Sequence, residues 1–255
     1  MSAVNVQKRR FRRDRWKNTL NDVLLWVILF AFFSPALWII LTSIRLRSEI
    51  NAHPPVWIPT GFSFDSYKIL FGMPTPEGAF GLGGSIPVAD YARNSIVIAL
   101  ISTLFALIFG TLAGYVFSRF RFRGKNGLYL SLMLARAIPG IALSLPLFIM
   151  YARTGLSDTV LGMIITYVAL NIPFTAWLMD GFFRAIPKEL DEAARIDGCS
   201  AWTAFLRIDL PLALPGAAAA GIFSFLTSWN EFALAKVITR TPASRTFPPA
   251  LCDFT

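Results

Sequence analysis

The reactive side chains of this 255-residue chain gather in one polar stretch, Pro187 to Pro211, PKELDEAARIDGCSAWTAFLRIDLP. Glu189, Asp191 and Glu192 follow a proline that suits a first helical turn, where the positive end of the helix favours carboxylates. Asp191 and Arg195 are spaced i,i+4 in the order that favours pairing along a helix. Ala193, Ala194 and Ile196 supply a small, mildly apolar face. Gly198 can take the left-handed conformation that ends a helix, and Ser200 can cap the next one. Trp202, Phe205, Leu206 and Ile208 make that second helix amphipathic before Pro211 closes it. Such a set can form ion pairs and hydrogen bonds across a contact. It fits a helical hairpin that docks into another protein, or one whose charges face water.

Catalytic chemistry has no comparable foothold. The single histidine, His53, has no companion, and Cys199 and Cys252 show no metal-ligand spacing. Gly124-Lys125-Asn126 lacks the upstream glycine and the following Ser or Thr of a phosphate loop. A membrane enzyme would need more histidine or clustered carboxylate than this.

The elements that position the hairpin are apolar. With 55% hydrophobic and 15% charged residues, the chain is too apolar for an ordinary soluble domain. A net charge of +9 would suit nucleic acid, but the basic residues cluster beside apolar runs, as in cytoplasmic loops of membrane proteins. Five spans are expected, at about 23–44, 94–118, 127–152, 159–180 and 212–234. Each is long enough to cross a hydrocarbon core of roughly 30 Å at about 1.5 Å per residue. Residues 1–22 read as a basic cytoplasmic tail, partly disordered at its start, and 23–255 as one transmembrane domain. No cleavable signal is expected, because the first apolar run is too long. Pro35 is expected to bend the first span, with neighbouring helices satisfying the carbonyl it frees. Gly110 and Gly114 read as a close helix-packing face, and the Gly216 to Gly221 segment permits another tight contact.

The expected topology puts the N-terminus, the basic loop Arg119 to Lys125 and the polar segment 181–211 inside, with the Pro- and Gly-rich connection 45–93 outside. Fifteen basic residues then fall on cytoplasmic segments and eight on longer external ones, with Arg136 within the membrane. Arg136 reads either as a residue of a translocation path, or as one that snorkels or forms a structural pair with Asp180 or Glu231. Asn171 lies inside the fourth span. Trp229, Asn230 and Glu231, at the end of the fifth, read either as a sugar-stacking group or as an interfacial anchor with a capped helix end.

Glu192-Ala193-Ala194, three residues, Gly198, nine residues and Ile208-Asp209-Leu210-Pro211 together resemble the EAA motif of bacterial ABC importer permeases. The extended form PKELDEAARIDG is similar to the carbohydrate-uptake group, the MalG-type inner-membrane subunits. This resemblance implies an all-α, polytopic transmembrane helical bundle, the type I ABC importer permease fold. It implies six spans, so a sixth is expected to be missing at the C-terminus. It assigns ATPase docking to a coupling helix carrying Glu189, Glu192, Ala193, Ala194, Arg195, Asp197 and Gly198; a substrate path is expected at Arg136, Asn171, Trp229, Asn230 and Glu231. It implies no cofactor in this chain, ATP and Mg being bound by partner ATPase subunits. The implied partners are a second homologous permease subunit, two ATP-binding subunits, an extracytoplasmic solute-binding protein, the lipid bilayer and a sugar or polyol. Pro59, Phe64, Asp65 and Tyr67 resemble the external loop that receives the binding protein, or simply pack across span ends. Two other transporters stay open: a stand-alone secondary carrier, and an ABC permease for a non-sugar solute.

Overall fold

A computed structural model describes residues 3–50, 52–54, 56–71, 73 and 87–252. The Pro- and Gly-rich stretch 74–86 of the long connection lies outside the described residues. Among those described, the chain is helical without strands, and it divides into two units, residues 1–86 and 87–255.

In the first unit, helix α1 (Ala3–Ser43) is followed by the short α2 (Arg47–Ile50) and α3 (Asp65–Leu70). The basic tail, expected to be partly disordered, continues the helix from Ala3. The apolar portion of α1, Asn21–Ser43, is 23 residues long. Pro35 has no N–H to give the carbonyl of Ala31. The Ser34 hydroxyl bonds that carbonyl at 2.9 Å, so the freed acceptor is satisfied within the helix and not by a neighbour. Beyond α1, buried Arg45 donates to the carbonyls of Val56 and Trp57, and Glu49 accepts from Thr60, so two charges fold the loop back upon itself.

The second unit is built on α4 (Val88–Arg119) and α7 (Val160–Ala185). A Cβ at Gly110 would come within 2.6 Å of the Thr175 side chain, and one at Gly114 within 2.9 Å of the Met179 side chain and of Asp180 and Ala176 backbone. The two glycines therefore form the close-packed seam that their spacing suggests. Helix α11 (Leu214–Trp229) closes on this pair through hydroxyls and an amide: Asn171 donates to Ser228 at 2.9 Å, and Thr175 and Ser224 meet at 3.3 Å. Gly216 lets the Phe182 ring lie against the α11 backbone.

One expected span is broken, and another begins at a sharp bend. Residues 127–152 form α5 (Lys125–Ala137) and α6 (Gly140–Thr154), bent by 96°. The cause is local: Pro139 drives Ile138 out of the helical region, to φ −73° and ψ 121°. Likewise, the segment Ala201–Leu212 meets α11 at 73°. Three helices are long and apolar enough to cross a membrane singly, and five spans result if each bent pair is one.

At the α4 and α7 N-termini the loop after α6 is tied to the C-terminal segment that contains α12 (Ala233–Ile238) and α13 (Phe247–Leu251) in its span. Asp158, at φ 58°, accepts from the amides of Arg240 (2.7 Å) and Thr241 (3.0 Å) and from the Ser244 hydroxyl. Asn94 donates to the carbonyls of Pro242 and Arg245.

The seam predicts that Gly114→Ala destabilises the protein by about 1–3 kcal/mol, because backbone must move to admit the methyl. Gly181→Ala, whose added Cβ meets nothing within 4 Å, should leave the melting temperature in detergent unchanged or slightly raised. The Asp158 tie predicts an acid transition. Burial raises that carboxyl, but Ser244 and the Thr241 and Arg240 amides outweigh it and bring it down to about 2. Its contribution is complete above the ordinary carboxylate value of about 3.9 and is lost as pH falls through about 2. Amide exchange at Arg240 and Thr241, relative to the intrinsic rate, should rise across that window. Asp158→Ala should show the same rise at neutral pH.

Candidate functional site

The polar hairpin begins where α7 ends. Ile186 and Pro187 are extended, and α8 (Lys188–Ile196) follows, with Glu189 and Asp191 in its first turn. It stops as the sequence implies. Gly198 takes φ +83°, its amide bonds the Arg195 carbonyl at 3.1 Å, and the Cys199 amide bonds Ala194 at 2.9 Å. Those two bonds are the paired closure of a Schellman ending. The Ser200 hydroxyl then accepts from the Thr203 amide at 3.1 Å and starts α9 (Ala201–Ala204). A π-turn, Phe205–Asp209, and the short α10 (Leu210–Leu212) lead into α11.

One side chain holds this hairpin to the bundle. Arg119, the last residue of α4, reaches Asp209 Oδ1 at 2.7 Å, Asp191 Oδ2 at 2.9 Å and the Ile186 carbonyl at 3.1 Å. Its side chain is 6% exposed and that of Asp209 is fully buried. The contact to Asp191, through Nε, is ionic without the alignment of a hydrogen bond. Burial, then the neighbouring Asp209 carboxyl, hold the Asp191 carboxyl above its ordinary range against the pull of Arg119. Asp191 therefore does not form the expected pair with exposed Arg195; it is turned inward. Tyr115, Phe183, Phe205 and Trp202 pack beneath in a chain of ring contacts, with Tyr115 and Phe205 centroids 4.6 Å apart.

With Asp191 and Ala194 facing in, Glu189, Glu192, Ala193 and Ile196 form a stripe facing out, at the i, i+3, i+4, i+7 positions of one helix face. Ile196 is 86% exposed. Arg195, Asp197 and Gly198 flank that stripe and are also exposed. Ala194 was expected beside Ala193 at the docking seat; at 5% exposure it packs against its own chain instead. Sequence reasoning left Arg119 in a generic basic loop, and its only signal was a buried-motif aspartate, Asp209, with no assigned counter-charge.

The five residues expected along a substrate path do not come together. Asn171 is buried, and its amide is used by Ser228. Glu231 accepts from the Tyr167 hydroxyl at 2.9 Å and from the amides of Leu234 and Ala235, so it caps α12. Trp229 stacks between Phe225 and Phe247, with centroids at 6.0 and 6.5 Å, and exposed Asn230 donates to the Leu226 carbonyl. Arg136, expected to be buried beside Asp180 or Glu231, is exposed and pairs with neither; Asp180 is held by Arg184 at 2.9 Å. The guanidinium of Arg136 lies 4.2 Å from the Phe174 ring centroid. Among the described residues there is no group of three or more His, Cys, Asp or Glu side chains able to hold a metal.

Comparison with known proteins bears on the family and the fold of the chain. A relative from Mycobacterium tuberculosis, the trehalose transport system permease protein SugB, is 35% identical over 87% of this chain and 76% of its own length. The diacetylchitobiose uptake system permease protein DasC of Streptomyces coelicolor is 29% identical over 94% of this chain and 81% of its own. Among solved structures, a chain of a bacterial ABC transporter involved in the import of the acidic polysaccharide alginate superposes with a TM-score of 0.70. It is 24% identical and covers 94% of this chain and 79% of that one. Residues 106–251, which include the Arg119 anchor and the whole hairpin, match the family described as binding-protein-dependent transport system inner membrane component, and this chain belongs to that family.

Proposed function

We propose that this subunit carries a sugar or polyol through the cytoplasmic membrane of a bacterium, N-terminus inside, moved by ATP hydrolysis in partner subunits. The observation that carries the reading is the outward stripe of α8 above an inward anchor. A charged helix that exposes Ile196 almost completely, while fixing its other face to the bundle through Arg119, is built to be gripped from outside. In this reading α8 seats in a cleft of an ATPase subunit: Ala193 allows close approach, Ile196 fills a pocket, and Glu189 and Glu192 pair with basic groups there. Arg195, Asp197 and Gly198 border the seat and set its turn. ATP and Mg are bound by those subunits. The carbohydrate assignment is supported by the uptake roles carried in the names of DasC and SugB. A second permease subunit and an external solute-binding protein complete the assembly.

Closure of the ATPase dimer displaces α8. Because Arg119 joins α8 to the end of α4, the displacement reaches α4 and α7 as one body, packed along the glycine seam. Alternating access then follows from rigid tilting of spans, with no bond made or broken in this chain.

Cysteines placed singly at Glu192, Ala193 and Ile196 should cross-link to the ATPase subunit in living cells, and one at Ala194 should not. Equal trapping at all four positions, or at none, would sink the docking orientation. Glu192→Lys and Gly198→Pro should insert normally while binding-protein-stimulated ATPase activity falls at least tenfold; wild-type stimulation in both would refute the coupling role. Arg119→Leu strands two buried carboxylates, a loss of about 3–5 kcal/mol in local stability. Amide exchange across α8 should rise accordingly. Arg119→Lys should restore only part, since an ammonium cannot reach three acceptors with a planar fork.

A further inference from the structure

Arg136 occupies a position that helix packing does not require. It is eleven residues into α5 from Lys125, about 16 Å along the axis. Phe174, which it covers, is eleven residues before the end of α7 at Ala185, again about 16 Å. Phe223, whose ring centroid is 5.9 Å from the guanidinium, is nine residues into α11, about 14 Å. Three helices thus place one positive charge near half-depth of a hydrocarbon core roughly 30 Å thick. A charge at that depth faces a water-filled path or a counter-charge.

The guanidinium lies over the Phe174 ring, its carbon 4.2 Å from the centroid, and Phe223, whose centroid is 4.5 Å from that of Phe174, lies on the same side at 5.9 Å. Among the described residues, no hydrogen bond or ion pair occupies its in-plane N–H groups, and the side chain is exposed. The planar fork is therefore set in place and open to a two-oxygen acceptor. Beside it, Trp177 and Phe223 are each 48% exposed, and the Trp177 ring lies 5.9 Å from Phe174. The extended backbone at Ile138 and Pro139 adjoins the same place, and irregular backbone at membrane depth belongs where a cavity or protein covers it. A permanent ion pair with a neighbouring subunit would fix the arginine by itself. A one-sided aromatic platform suits a charge that keeps its position while its acceptor comes and goes.

We infer that Arg136, seated on the platform of Phe174 and Phe223, is a recognition site for the acid group of an anionic saccharide on its way through the membrane. Trp177 and the exposed part of Phe223 receive the apolar face of the sugar ring, and the fork reads the carboxylate. This rests on the reading of the chain as a saccharide permease, and it narrows the substrate from sugars at large to acidic ones.

The test uses the complete transporter in lipid nanodiscs. Binding is measured for a panel of uronic-acid mono-, di- and trisaccharides and for their neutral counterparts, with wild type, Arg136→Gln and Arg136→Lys. The wild type should prefer the acidic member of at least one pair tenfold or more. Arg136→Gln should abolish that preference, and Arg136→Lys should keep part of it. No preference in the wild type, or one that survives Arg136→Gln, overturns the assignment. So does an Arg136→Gln subunit that no longer assembles with its partner permease while Arg136→Lys does, because the counter-charge then belongs to that partner. Stimulation of ATPase activity by the binding protein, recorded on the same samples, reports the coupling reading separately: its absence in the wild type defeats that reading and not this one.

Discussion

The buried fork of Arg119 is the constraint on which the second unit depends. It joins the C-terminal end of α4 to three places that sequence keeps far apart: the Ile186 carbonyl after α7, Asp191 in α8 and Asp209 in the π-turn. Arginine suits the position because its planar group can present N–H donors in several directions at once, and because it stays charged when desolvated. Two carboxylates share one cation, and burial, followed by the neighbouring Asp209 carboxyl, holds Asp191 above its ordinary range. Replacing all three charged groups together by well-packed hydrophobic ones could give comparable stability. What they could not supply is direction, since only a charged, multiply bonded group fixes how α8 is turned about its axis. That rotation decides that Ala193 and Ile196 face out and Ala194 faces in.

Between the spans the binding forces are of another kind. Lipid tails are as apolar as leucine, so helices there gain little from hiding hydrocarbon and associate through close backbone approach and polar contacts. Gly110 and Gly114 provide the first on α4, and Gly216 on α11. Ser102, Asn171, Thr175, Ser224 and Ser228 provide the second. The outcome is a tight pair of α4 and α7 on which α11 packs through polar contacts, while α5, without a single buried residue, lies outside it. In the proposed coupling, the tightness of that pair is what lets a displacement at α8 arrive elsewhere undiminished.

Much of this was legible in the residues and some was not. Pro187 and Gly198 act through their own backbones and Ser200 through a hydroxyl cap three residues away, so the bounds of α8 and the closure after it follow from local chemistry, and the structure shows them. The glycine seam follows from spacing for the same reason. Arg119 and Asp209 are 90 residues apart, and nothing local to either distinguishes a buried partner from a solvated one. The faces of α8 misled because a buried cation overrides its pattern: Asp191 is turned in to Arg119 and Ile196 is exposed, the reverse of ordinary amphipathic order. Pro139 and Gly140 were visible, yet the apolar run continues across them, and length alone therefore read one span where there are two bent helices. Asn171 and Glu231 carried the ambiguity of any polar group in an apolar span. Only the distances to Ser228 and Tyr167 assign them to the framework.

The breaks explain why the coupling hairpin can move at all. A hairpin welded to straight spans would carry only piston motion along their axes. Here the chain leaves α10 and enters α11 through a 73° bend, directly after a π-turn whose fully buried Asp209 is pinned by Arg119. In the proposed coupling, a lateral push on α8 is converted at that elbow into a change in the inclination of α11 against α4 and α7. The π-turn is suited to this place because its wider turn shifts the helix register by one residue, which turns Asp209 inward and leaves the following helix a new axis. The anchor fixes one arm of a lever, the elbow frees the other, and the hydroxyl contacts along α11 are polar enough to re-form after a small slide.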